Sequence, residues 1–181
     1  MKRSKHTSHA NRGKALENSL KVYHEWLRGQ NVARIKKLNV DKISVGGKLI
    51  YLKKEGFDCQ GTLKGGRSVC IEAKQYKEDR LPILAENKKG AGIKYHQMEE
   101  LLWHGSMGAL TGVIWYHAPR ECYAIGFRFL RDFIDNIYGS GTDKRKSIPL
   151  AMVQEECEQI DHGGLLEYIE PLVKSQPVVL G

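Results

Sequence analysis

The chain has 181 residues, enough for one domain with a core and too few for two comfortable ones. Its hydrophobic share of 41% is that of a globular protein, but 29 Lys and Arg against 21 Asp and Glu leave a formal charge of +8. That excess calls for an acidic partner, and nucleic acid comes first because basic side chains displace counterions from a phosphate backbone.

An anionic membrane is the competing partner, and the sequence gives it no support. No apolar run approaches the roughly 20 residues of a spanning helix, and the N-terminus lacks the apolar centre of a signal peptide. A cytoplasmic protein is expected, in a cell or in a host cell if the source is viral. Cys59, Cys70, Cys122 and Cys157 show no C-x-x-C spacing and read as reduced, buried thiols. The histidines are scattered away from them, which argues against a zinc site.

Residues 1–10, with Lys2, Arg3 and Lys5 and no acid, are expected to be a disordered basic tail, and residues 11–181 a single domain. From Lys14 to Arg28 the apolar residues Leu16, Leu20, Tyr23 and Leu27 recur at helical spacing, and Gly29 ends the helix. Glu17 lies about 100° round from Leu16, at the edge of that stripe. It reads either as a glutamate favoured by the helix dipole or as a carboxylate brought to the sheet. Between Val32 and Tyr51 two strand-like pieces are split by Gly46-Gly47, and Lys36, Lys37, Lys42 and Lys48 crowd them; a solvated hairpin is the plain account.

The stretch from Phe57 to Gln75 carries the chemistry. Lys64-Gly65-Gly66 is a loop whose glycines can take positive φ, and Arg67 opens a run rich in β-branched residues, so the pattern is strand, turn, strand. If Leu63 faces Arg67, then Gln60 faces Cys70 and Asp58 faces Glu72, with Cβ atoms roughly 4.5 to 5.5 Å apart. Period two sends Val69, Ile71 and Ala73 into a core and Cys70, Glu72 and Lys74 to the other face beside Asp58. Opposed carboxylates repel unless a proton or cation sits between them, and a hard divalent ion such as Mg²⁺ takes such oxygens. Lys74 could then steer a water or meet charge on a phosphate, which suits phosphodiester hydrolysis. A solvated strand face is the alternative.

Tyr76 to Lys94 reads as a polar loop, ending in ENKKGAGIK. A helix follows from about Tyr95 with Met98, Leu101 and Leu102 on one side and Gln97 at its start. His104 and His117 default to structural roles. Leu110 to Tyr116 and Cys122 to Phe127 read as buried strands of a hairpin, and Arg128 to Tyr138 as a helix. Gly139 to Thr142 is a break before the basic cluster Lys144-Arg145-Lys146, a candidate for phosphate contact. Leu150 to Leu172 should hold one or two short helices interrupted at Gly163-Gly164. The fold class is mixed α/β.

Asp58 followed by Glu72-Ala73-Lys74 resembles the PD-(D/E)xK nuclease signature, without its proline. With Asn11-Arg12-Gly13, His96-Gln97 and Arg145-Lys146-Ser147-Ile148-Pro149 the chain looks like the RecU family of Holliday junction resolvases, from about Asn11 to Leu172. The resemblance implies a restriction-endonuclease-like mixed sheet flanked by helices, with a protruding stalk at about residues 40–56 that enters a four-way junction. It implies Mg²⁺, or Mn²⁺ in its place, held by Asp58 and Glu72 with Glu17, while Lys74 and Gln97 complete the catalytic set. Arg12, Lys14, Lys42, Lys48, Lys144, Arg145 and Lys146 are then the expected DNA contacts. Branched DNA is the implied substrate, a homodimer the implied assembly and a recombinase a further partner. The family's Ser/Thr run before the aspartate is replaced here by Lys54-Glu55-Gly56-Phe57, and the loop ending in ENKKGAGIK is longer than the family's equivalent. Two alternatives stay open: a nuclease of the same superfamily cutting flap or duplex DNA, and a non-catalytic DNA-binding recombination factor.

Overall fold

The computed structural model describes residues 9–38, 42–46, 48–51, 56–85, 88, 90–118, 121–136, 146–160 and 166–176, with no account of the side chains of residues 9–13, 42–45 and 48–51. Its centre is a six-stranded mixed sheet. In chain order the strands are β1 (Ala33–Lys37), β4 (Cys59–Leu63), β5 (Ser68–Gln75), β8 (Leu110–Ala118), β9 (Glu121–Gly126) and β11 (Glu158–Gln159), and they lie side by side in that same order. Only β5 and β8 run parallel. Their connection carries helix α2 (Tyr95–Ser106).

Helices cover both faces of this sheet. On one side α1 (His9–Gly29) lays Leu16, Leu20, Tyr23 and Leu27 against Val69, Ile71 and Ile114, together with Leu172 of α5 (Ile169–Lys174). On the other, Met98 and Leu101 of α2 and Phe129, Leu130 and Phe133 of α3 (Phe127–Asn136) pack on Cys70, Val113 and Trp115. Strand β5 therefore lies between two cores: Val69, Cys70 and Ile71 are all fully buried. Alternation along it separates two packed layers rather than core from solvent, as expected of a central strand with a parallel neighbour. Each fully buried Leu or Ile contributes about 1.5–3 kcal/mol relative to exposure, so α1's stripe holds that helix to the sheet.

The β4–β5 hairpin has the expected register, with Gln60 opposite Cys70 and Cys59 opposite Ile71. Gly65 and Gly66 take φ of +96° and +94° in its turn, where Leu63 N–H donates to the Arg67 carbonyl at 2.8 Å. The cysteines are thiols, and Cys59, Cys70 and Cys122 are buried.

Several elements differ from the sequence reading. Helix α1 starts at His9, inside the stretch expected to be tail. The expected loop from Tyr76 to Lys94 contains β6 (Arg80–Leu84) and β7 (Ile93–Lys94), which join β10 (Ser147–Pro149) in a small second sheet. Leu81, Ile93 and Ile148 are fully buried there; the pairing links segments far apart in the chain, and local pattern does not reveal it. Phe127 belongs to α3 rather than to the preceding strand, and the short helices expected over Leu150 to Leu172 are α4 (Leu150–Glu156) and α5, with β11 added between them. The break at 139–142 and the glycines at 163–164 lie outside the described residues. Between β1 and β4, β2 (Lys42–Val45) and β3 (Lys48–Tyr51) form a hairpin that is a sheet of its own, in the segment expected to be a stalk. No helix among the described residues is long and apolar enough to cross a membrane.

Candidate active site

Asp58 is the residue at which β4 leaves its partner. The ladder's last pair is Cys59 with Ile71, and the next hydrogen-bonded position would set Phe57 opposite Ala73. Phe57 is instead drawn into the cluster under α2, edge-on to His104 at 5.3 Å, and a Cβ on Gly56 would sit 2.4 Å from Glu100 Cβ. The Ala73 N–H thereby loses a main-chain acceptor, and Asp58 Oδ2 takes it at 3.1 Å. Asp58 thus bonds to the residue beside Glu72, and its own N–H donates to the Ile71 carbonyl at 3.0 Å.

Glu72 is 1% exposed, under α2. Lys74 Nζ lies 2.5 Å from Glu72 Oε1, and Gln97 Nε2 donates to the same oxygen at 2.8 Å. Gln97 Oε1 closes the triangle by accepting from Lys74 Nζ at 3.1 Å. It also accepts from the Lys94 N–H at 2.9 Å, so one side chain caps the start of α2 and orients both charged groups. An acid this deep is stable as an anion only when paired and hydrogen-bonded, and both conditions hold here.

Glu17 stands apart from this triangle. It is ion-paired to Lys37 at 2.8 Å, and the two residues line a cleft of about 390 Å³ together with Asp58 and Ala73. Glu72 does not line that cleft. Among the described residues no three or more His, Cys, Asp or Glu side chains gather at metal-ligating spacing. Asp58 and Glu72 offer hard carboxylate oxygens without sulfur or imidazole, a donor set that fits Mg²⁺, which uses one or two carboxylates and fills its shell with water. The fit is to a pair of carboxylates; Glu17, on the same cleft as Asp58, has one oxygen engaged by Lys37.

The expected DNA contacts fare unevenly. Lys14 and Lys146 are exposed, and the Lys146 carbonyl accepts from the Ile83 N–H at 2.8 Å. Lys144 and Arg145 lie outside the described residues. Arg12 is within α1, Lys42 pairs with Tyr51 and Lys48 with Val45 at the turn end of the β2–β3 hairpin, all three without described side chains. His104 and His117 have structural contacts: His104 packs on Phe57, and His117 Nδ1 is 2.7 Å from Glu121 Oε2.

Sequence reasoning missed two features. Lys37 reads as one of several solvated lysines, whereas its alternation with Ile35 on an edge strand was the available signal that it turns toward α1. His24 is buried, with Nε2 2.7 Å from Tyr168 Oη, and burial lowers its pKa to about 4. Its place beside the stripe of α1 was a sign of burial, but the Tyr168 partner lies 144 residues away.

No curated protein matches the sequence. A family model described as Recombination protein U matches residues 11–174, which takes in α1 from Asn11 onward, every element around Asp58, Glu72, Lys74 and Gln97, and α5. The chain belongs to the RecU family, which implies a recombination role of the Holliday-junction-resolvase kind.

Proposed function

We propose that the protein is a metal-dependent, structure-selective endodeoxyribonuclease that cuts four-way DNA junctions in recombination and repair. The observation that carries this reading is the buried Glu72–Lys74–Gln97 triangle one residue from the point where Asp58 leaves its strand. Burying an acid and an ammonium costs several kcal/mol before their attraction repays it, and such arrangements concentrate at sites of chemistry.

Mg²⁺ held by Asp58 and Glu72, with Mn²⁺ as a substitute, would supply Lewis-acid stabilisation of charge on the phosphate. Lys74 has three N–H donors, of which Glu72 and Gln97 engage two, so a third can meet a water or a phosphate oxygen. Gln97 acts at one remove: it holds Lys74 and Glu72 in place and is itself held by the start of α2. The +8 charge draws DNA to the surface, and the β2–β3 hairpin, which lies in the chain between β1 and Asp58, is the element proposed to enter the junction centre. Two opposed strands need two cuts, which favours a homodimer with one site per protomer. A recombinase partner and a cytoplasmic place of action complete the reading.

A cleavage assay with Mg²⁺ titrated over junction, flap and linear duplex tests it, with Asp58→Asn as the ligand-removing control. Metal-dependent cutting of the junction, lost in the variant while binding remains, is expected. Equal cutting of flap or duplex would make it another kind of PD-(D/E)xK nuclease. Junction binding without cutting at any metal concentration would leave a non-catalytic recombination factor.

A further inference from the structure

Strand β1 ends the sheet, and beside it lies a groove of about 570 Å³ whose lining includes Arg28, Arg34, Lys36, Gln60, Thr62 and Ser68. Along β1, Ala33 and Ile35 pack toward α1, while the alternate residues Arg34 and Lys36 pair in register with Thr62 and Gln60. Thr62 in turn pairs with Ser68 and Gln60 with Cys70. By the pleat these side chains share the face of the sheet that carries Glu72 and Lys74.

The charge in this groove is one-sided. Among the described residues that line it Glu25 is the one acid, and it pairs with Arg28 at 3.4 Å where both are well exposed, a contact worth little. Arg34 and Lys36 are exposed and enter no ion pair among the described residues. Charged residues on an edge strand also deter pairing with another chain, which accounts for the lysine but not for a concave site ringed by hydroxyl and amide groups. Ser68 precedes Glu72 by four residues on β5, about 13 Å along the strand.

We propose that this groove seats the sugar-phosphate backbone of the duplex arm leading away from the cut. Arg34 and Lys36 take its phosphates, and the Thr62 and Ser68 hydroxyls with the Gln60 amide take phosphate or sugar oxygens. This role rests on the nuclease reading, because it places the arm relative to Glu72; the affinity of the groove for DNA does not.

The test uses the full chain carrying Arg34→Gln with Lys36→Gln, without metal, on a labelled four-way junction and a linear duplex over a salt series. Both substitutions fall on exposed side chains, and the melting temperature checks folding. Affinity should fall on both DNAs, and the slope of log affinity against log salt should shrink by about two units, one for each lost contact. Backbone protection from hydroxyl radicals should fade on the duplex arm beside the cut, where the groove would seat its phosphates. A chain carrying Arg131→Gln with Lys174→Gln loses the same charge from α3 and α5 and should keep the wild-type slope. The groove assignment is overturned if the two double variants behave alike or if the groove variant keeps the wild-type slope. A wild-type chain that binds but does not cut would sink the nuclease reading and leave the slope comparison intact.

Discussion

Gln97 Nε2 donates to Glu72 Oε1 at 2.8 Å, joining the first turn of α2 to the centre of β5. The other end of the same amide accepts from Lys74 Nζ and from the Lys94 N–H. Gln97→Leu keeps the approximate volume and removes all three bonds. Stability should fall by about 2–3 kcal/mol, the scale for buried hydrogen bonds to charged groups. Single-turnover cleavage should slow by about tenfold or more, since Lys74 and Glu72 lose their common anchor. A stability loss with an unchanged rate would reduce Gln97 to a helix cap.

Lys74 and Glu72 form a pair in which one partner is 18% exposed and the other 1%. Lys74→Ala should lower the cleavage rate by about 100-fold or more, as when a group that stabilises transition-state charge is lost. It should also destabilise the fold by about 3–5 kcal/mol, because a buried carboxylate is left without its cation. Adding Glu72→Gln to that variant should recover part of the stability and none of the activity. Denaturant midpoints and single-turnover rates on the same samples check both; full stability in Lys74→Ala would show that the pair carries no folding energy.

The buried His24 predicts a stability profile. Burial lowers its pKa from 6.5 to about 4, against a smaller opposing effect of Glu25. Between those values the unfolded chain binds a proton that the folded chain refuses, so stability is unaffected by this group above about pH 6.5 and falls as the pH drops toward 4. The loss reaches roughly 3 kcal/mol. His24→Gln, which can still bond Tyr168, should lose that component of the slope. Parallel melting-temperature profiles for the two proteins from pH 7 to 4 would contradict a neutral, buried His24.

The β2–β3 hairpin supplies a prediction about substrate choice. If it enters a junction where four strands converge, Lys42→Ala with Lys48→Ala should weaken binding to four-way DNA more than to linear duplex. General charge would weaken both alike, with the salt slope falling by about one unit per lost contact. The ratio of junction to duplex affinity at one salt concentration decides, and an unchanged ratio removes the stalk role.

The sequence by itself determined the register of the β4–β5 hairpin, the stripe of α1, the start of α2 and the second hairpin, and hence the α/β class. These depend on turn glycines and on periods of two or 3.6, which act over a few residues. Only the tertiary structure decided how those elements combine. Asp58 accepts from the Ala73 N–H because Phe57 is pulled under α2. Glu17 pairs with Lys37 because α1 lies across the edge strand, and Gln97 meets Glu72 because α2 covers β5. The small sheet of β6, β7 and β10 joins segments separated by more than 50 residues. Each of these contacts follows from packing between distant parts of the chain, where the favourable term is burial of apolar surface, and burial depends on which faces meet rather than on neighbours in sequence.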